Sequence, residues 1–167
     1  MPDLSIENKK RQLNFNTIAG VDEAGRGPWA GPVYSAIVIL NKDRIPQGIN
    51  DSKKISEKKR MELYEEILLN HECGIGFASP EEIDRLNILE ATFLSMKRAL
   101  KNISIKPDYI LVDGNLSPKF KIPHETIIKG DNISMSIAAA SIIAKVERDK
   151  FMLNIDKEYP EYKWKKK

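Results

Sequence analysis

Four carboxylates stand at or just beyond short apolar runs. Asp22 and Glu23 follow Ile18 to Val21, Asp113 follows Tyr109-Ile110-Leu111-Val112, and Asp131 follows Thr126 to Gly130. An acid at the end of a buried strand is costly to ionise unless a cation stands beside it. Neighbouring parallel strands would bring such ends together. Several carboxylates in one partly buried place repel each other, and relief comes from a divalent cation or a raised pKa. Ligands that are all oxygen suit Mg²⁺ or Mn²⁺ rather than zinc. A pair of such ions roughly 3.5–4 Å apart activates water and stabilises the leaving oxygen in phosphodiester hydrolysis. Each acid also has an ordinary alternative as a helix cap or turn former, Asp131 above all, because Asp131-Asn132 could simply open the next helix.

The residues around the acids narrow the chemistry. Adjacent residues on a regular strand point to opposite faces, so Asp22 and Glu23 share a site only if the strand stops or bulges between them. The loop that follows, Gly25 to Pro32, holds three glycines, two prolines and Arg26. That composition lets backbone approach a ligand closely and sets a cation beside two anions. Asn50-Asp51-Ser52-Lys53-Lys54 forms a second polar knot, and Lys58-Lys59-Arg60 follows soon after. These lysines read either as a solvated helix face or as a local anion-binding cluster.

The elements that must hold these residues alternate between strand and helix. Val33 to Leu40 reads as a buried strand pairing with Ile18 to Asp22. A helix capped by Ser56 follows, with Met61, Tyr64, Ile67 and Leu68 as its apolar stripe. His71 to Ala78 is a short strand. Ser79-Pro80-Glu81-Glu82 carries a capping box and a first-turn proline, opening a helix through Leu89, Phe93, Met96 and Leu100. Lys106-Pro107-Asp108 breaks it before the Tyr109 strand, Thr126 to Lys129 reads as a further strand, and a long helix runs from about Ser134 to Asp156. The pattern predicts an α/β fold with a mixed sheet flanked by helices.

With 167 residues the chain fits one domain spanning 1–167, large enough to bury a core without disulfides. The composition, 41% hydrophobic and 31% charged, belongs to a soluble globular protein, and no apolar run reaches bilayer length. The polar stretch Met1 to Asn14 lacks a secretory core and Cys73 is the only cysteine, so the expected compartment is the cytoplasm. The net charge of +3 owes everything to the tail Tyr162 to Lys167, which holds four of the 27 basic residues. A nearly neutral body makes net charge alone no argument for nucleic acid.

The motifs together resemble the bacterial type 2 ribonuclease H family, ribonuclease HII. The resemblance is carried by GVDEAGRGPWAGP from Gly20, NDSKK from Asn50, ASPEEIDRLNI from Ala78, LVDGN from Leu111, KGD from Lys129 and AAASIIAKV from Ala138. It implies a ribonuclease-H-like fold and metal-dependent cutting of RNA in RNA/DNA hybrids and at single ribonucleotides in duplex DNA, leaving 3′-hydroxyl and 5′-phosphate ends. By the same resemblance Asp22, Glu23, Asp113 and Asp131 are the metal-binding acids of a two-ion Mg²⁺ or Mn²⁺ site, with Asp22 shared. Gly25, Arg26 and Gly27 would approach the ribose hydroxyl and a phosphate, the 2′-OH being the atom that separates RNA from DNA. Arg26 could equally be an internal partner for Glu23. Asn50, Ser52, Lys53 and Lys54 would meet backbone phosphate, while Ser141 and Lys145 stay outside the catalytic set.

Two departures from the family pattern shape the expectations. Trp29 replaces a smaller residue in the glycine-rich loop, where it could be core, reshape the loop or stack near a duplex. The family's His-Lys-Gly-Tyr-Gly segment is absent before Lys167, so the chain is expected to be truncated relative to its family, and the roles of that segment do not pass to Tyr162 or Trp164. Three readings follow: a monomeric metal-dependent endoribonuclease, a hybrid-binding module with little or no catalysis, and a resolvase-like nuclease on branched DNA. The last leaves Gly25-Arg26-Gly27 without a purpose. His71 and His124 read as structural or merely exposed, and Cys73 as a small strand residue.

Overall fold

The computed structural model describes residues 1–27 and 30–158. Its centre is a five-stranded mixed sheet of β1 (Ile18–Ala24), β2 (Val33–Ile39), β3 (Glu72–Ala78), β4 (Tyr109–Asp113) and β5 (His124–Ile127), in the order β3-β2-β1-β4-β5. β1, β2 and β3 form an antiparallel meander, while β4 and β5 are each parallel to β1. Among the described residues five α-helices complete it: α1 (Ser5–Gln12), α2 (Glu57–Asn70), α3 (Pro80–Leu86), α4 (Ile88–Asn102) and α5 (Met135–Glu158). No helix among the described residues is long and apolar enough to cross a membrane.

The strand residues alternate between two cores, as a pleated sheet covered on both faces requires. Ala36, Val38 and Leu40 pack with α2 and α5, while Ala19, Val21, Ile37, Ile110 and Val112 pack with Met96, Ala99 and Ile103 from the α4 side. In α5, Ile137 to Ala140 and Ile142 to Ala144 are all buried, so the first turns of the helix are apolar nearly all round and lie between the sheet and α2. Gly20 is what lets it come so close. A Cβ there would stand 2.2 Å from the Ser136 backbone carbon.

Several local expectations need revision. The α2 stripe is narrower than its periodicity suggests, because α2 packs chiefly against α5: Leu63, Tyr64 and Ile67 are buried, whereas Met61 and Leu68 are exposed. The helix after Ser79 is two helices, broken at Asn87, whose φ of 77° ends α3 while its side chain accepts the Glu90 N–H to start α4. The Ser79 capping box forms as expected. Strand β5 ends at Ile127, two residues before Lys129, which turns left-handed at φ 54°. His71 is structural, its Nδ1 accepting the Asn41 N–H at 2.8 Å and its other nitrogen bonding the Arg44 carbonyl. Burial pushes the Cys73 thiol up to about 12.

The N-terminal helix has no counterpart in the sequence reading. Its anchor is Glu7, fully buried, whose carboxylate accepts the Ser134 hydroxyl at 2.8 Å and the Ser136 N–H at 2.9 Å. Ser134 in turn accepts the Ile137 N–H, so Glu7 and Ser134 together satisfy the start of α5, and a negative charge there also suits the helix dipole. Glu7→Ala should lower the unfolding free energy by about 2 kcal/mol, the scale of buried hydrogen bonds to a charged group, measured by urea denaturation.

Candidate metal centre

β1 and β4 run parallel with Val21 opposite Val112, so the next residues, Asp22 and Asp113, emerge side by side. Both point to the face that α5 covers, since Asp22 is paired with Ala36 of the α5-side core. Asp131 arrives differently from the reading above: it lies in a 3₁₀ turn, Gly130–Asn132, between β5 and α5 rather than at a strand end. Its backbone N–H donates to the Asp113 carboxylate at 3.3 Å. Asp22, Asp113 and Asp131 offer oxygens that all lie within 4.8 Å of one another.

Glu23 is placed apart from this trio. β1 neither stops nor bulges at Asp22, and pairing with β2 continues through Ala24, so the pleat turns Glu23 towards the α4 face, where its strand partner Ser35 bonds Ser95. Glu23 still lines the same cavity as the trio, because β4 has ended by that level. One of its oxygens lies 3.8 Å from the Arg26 guanidinium, and the other is buried with no hydrogen-bond partner. Arg26 thus has its internal partner in this structure, at a distance and exposure that leave its charge available to a ligand as well.

The cavity holds about 320 Å³ and is lined by Asp22, Glu23, Ala24, Ser52, Lys53, Asp113, Asp131, Ser141 and Lys145. Lys53 is the cation nearest the trio, its Nζ 3.3 Å from both Asp131 and Asp51. Ser52 is buried against α5, its N–H donating to the Ser141 hydroxyl at 3.2 Å, and Asn50 accepts the Asp51 N–H instead of facing the cavity. Lys54 is absent from the lining too. Reading the knot as phosphate contacts overlooked Asp51, whose buried carboxylate caps the 3₁₀ turn Ser52–Lys54 and holds Lys53 in place. Ser141 and Lys145 both reach the cavity wall, and their separation of four residues on one helix is the signal that places them on a common face. Lys145 bonds Asp149 at 3.0 Å rather than a site acid.

Gly25, Arg26 and Gly27 line a neighbouring cavity of about 480 Å³, with Ala30, Gly31 and the α3 residues Pro80, Ile83 and Asp84. Gly25 has φ +100°, and a Cβ there would stand 2.3 Å from the Arg148 side chain and 2.6 Å from the Pro32 carbonyl oxygen. Arg148 supports the loop from beneath, its Nε donating to that carbonyl at 2.9 Å. Trp29 and the tail residues Tyr162 and Trp164 lie outside the described residues.

The electrostatics of the trio favour a cation. Burial is the main reason that the Asp22 carboxyl is held well above its ordinary pKa, reinforced by the charges of Glu23, Asp113 and Asp131. Asp131 is raised by burial and by Asp113, an effect that Lys53 partly offsets. Glu23 is raised by burial against the pull of Arg26. All the donors are carboxylate oxygens in one small cavity, with a spare buried oxygen on Glu23, which is the donor chemistry of a hard divalent ion. With folded-state pKa values raised, the native protein keeps protons that the unfolded chain has released. Metal-free stability therefore falls as pH rises from the ordinary carboxylate range through the raised native values. Asp22→Asn should raise the melting temperature of the metal-free protein at neutral pH and flatten this dependence, read by thermal melts across pH in chelator.

Comparison with known proteins agrees with this geometry. A family model described as ribonuclease HII matches residues 19–167. The ribonuclease HII of the Wolbachia symbiont of Brugia malayi is 54% identical over 166 residues, covering 99% of this chain and 80% of that protein. That of Caulobacter vibrioides is 52% identical over 162 residues, covering 96% and 75%. The Archaeoglobus fulgidus ribonuclease HII, solved in complex with PCNA, superposes with a TM-score of 0.74 at 31% identity, covering 86% of this chain and 78% of that one. With Asp22 and Asp113 side by side on parallel strands of a ribonuclease-H-like sheet and Asp131 brought to them by the turn before α5, this chain belongs to the ribonuclease HII family of type 2 ribonuclease H endonucleases.

Proposed function

We propose that this endonuclease hydrolyses RNA within RNA/DNA hybrids and at single ribonucleotides in duplex DNA, using Mg²⁺ or Mn²⁺ held at a two-ion site. The observation that carries the reading is the convergence of Asp22, Asp113 and Asp131 within 4.8 Å in a cavity bordered by Glu23. Asp22 is the central ligand, being buried between Glu23 on its own strand and Asp113 on the next. Asp113 and Asp131 complete the trio, and Glu23 contributes its unpartnered oxygen. A divalent ion bound there activates water and neutralises charge on the phosphoryl oxygens.

The remaining work belongs to the chain's own groups. Lys53, with an exposed ammonium at the cavity mouth, meets a substrate phosphate while restraining Asp131. Arg26 offers a planar fork to a neighbouring phosphate. The Gly25-Arg26-Gly27 backbone, free of Cβ atoms at two of three positions, comes close enough to hydrogen-bond a ribose 2′-OH in the minor groove. Hydrolysis on the 5′ side of the ribonucleotide breaks the bond to the 3′ oxygen of the preceding nucleotide and leaves a 3′-hydroxyl and a 5′-phosphate. A hybrid-binding module without catalysis gains no support, since the acids it would not need are all gathered in one cavity.

A DNA duplex carrying one ribonucleotide should be cut with Mn²⁺ or Mg²⁺ and left intact in chelator; an uncut duplex at every metal concentration would refute the reading. Asp113→Asn should lower kcat by about 10² to 10³, because a lost ligand costs several kcal/mol of transition-state stabilisation, while duplex affinity in a filter-binding assay stays near wild type. Gly25→Ala should act on selection. The new Cβ has to displace Arg148 and the Pro32 carbonyl, so kcat/KM on the ribonucleotide duplex should fall by about tenfold or more while the Mn²⁺-induced rise in melting temperature persists.

A further inference from the structure

A larger cavity lies on the face of the sheet opposite the acids. It holds about 660 Å³ and is lined by Lys97, Leu100 and Lys101 of α4, Lys106, and Lys119, Phe120, Lys121 and Ile122 of the β4–β5 connection. Asp22 and Asp113 point to the α5 face, whereas this basin belongs to the α4 face, where Leu100, Phe120 and Ile122 rest on the core formed by Met96, Ala99, Ile103 and Ile110. Its composition is one-sided. Five lysines form the rim, no carboxylate lines it, and among the described residues none of the five is ion-paired with an acid. Lys106 is pinned at the end of α4, its Nζ donating to the Leu100 carbonyl at 2.8 Å.

An apolar floor inside an unpaired cationic rim is complementary to a ligand with both an apolar anchor and negative charge. We propose that this basin docks an acidic peptide segment carrying aromatic or aliphatic side chains, a partner contact separate from the nuclease cleft. The lysines steer the segment and set its orientation, and Leu100, Phe120 and Ile122 receive its side chain. A nucleic-acid backbone satisfies only half of this. Its phosphates would meet the lysines, but a sugar-phosphate chain has nothing to bury on the apolar floor. The acid cavity opens at the sheet end on the α5 side, away from this basin on the α4 side. The inference stands independently of the substrate assigned to that cleft.

The test is fluorescence anisotropy on the whole protein with a labelled synthetic peptide, a run of aspartates ending in Leu-Phe. Saturable binding is expected that weakens as salt rises, by the screening of an exposed charge rim. The double variant Lys101→Glu/Lys121→Glu should bind it about tenfold more weakly, both side chains being exposed at the rim, with an unchanged thermal melt and unchanged cutting of a ribonucleotide-containing duplex. Replacing Leu-Phe in the peptide by Ala-Ala should cost a similar factor. Absence of saturable binding, indifference to the charge reversal, equal binding of the alanine peptide, or tighter binding of a single-stranded oligonucleotide at the same lysines would each overturn the proposal.

Discussion

Asp22 and Asp113 are neighbours because Val21 and Val112 are paired across two parallel strands, and nothing in the backbone lets them separate. Two carboxylates fixed this way repel each other in a place from which water is largely excluded, and Asp131 adds a third. The rest of the structure has to withstand that repulsion when no cation is bound. Opposing it are one lysine shared with Asp51 and two backbone N–H groups, those of Glu23 and Asp131, while Arg26 offsets only the neighbouring Glu23. These are modest compensations. The stabilising free energy comes instead from burial beside the site, where the alanines and isoleucines of Ile137 to Ala144, interrupted only by Ser141, pack α5 between the sheet and α2.

The pleat also divides labour between the two acids of one dipeptide. Asp22 faces α5 and belongs to the trio, whereas Glu23 faces the α4 side and reaches the cavity around the end of the sheet. Glu23 therefore stands between the acid cavity and the one lined by Gly25 to Gly27, and its ion pair with Arg26 spans the two. The Arg26 guanidinium partly offsets the effect of burial on Glu23, which joins the two cavities electrostatically. In the proposed function, selection and hydrolysis would therefore be adjacent both along the chain and in electrostatics.

Much of this was legible in the residues. Short apolar runs followed by acid mark β1 and β4, the capping box at Ser79 forms as expected, and the alternating pattern leads to a mixed sheet. The failures have physical reasons. Asp131 was read as a strand end because Ile127-Ile128-Lys129 looks extended, but β5 is a short edge strand and the left-handed Lys129 turns the chain before the acid. Sharing one site implies that the strand stops or bulges at Asp22, yet β1 does neither; β4 is simply shorter than β1, and Glu23 lines the cavity from beyond its end. Asp51 was passed over among lysines, since local sequence does not tell a capping carboxylate from a solvated one.

Helix α1 was the least legible element, being polar along almost its whole length, yet its influence reaches the site. The family match begins at residue 19, after α1. Glu7 is tied to Ser134 and Ser136, and the Asp3 backbone bonds both Ile133 and Met135, clasping the residues where α5 starts. Ser134 and Ile133 donate in turn to the Gly130 carbonyl, closing the turn that carries Asp131. Asp131 has no strand to fix it as Asp22 and Asp113 have. Its position against their repulsion is set by this turn, and the turn is held from outside by a helix more than a hundred residues away in sequence. The buried carboxylate of Glu7, which takes no part in chemistry, is thus among the groups that keep the third acid of the trio in place.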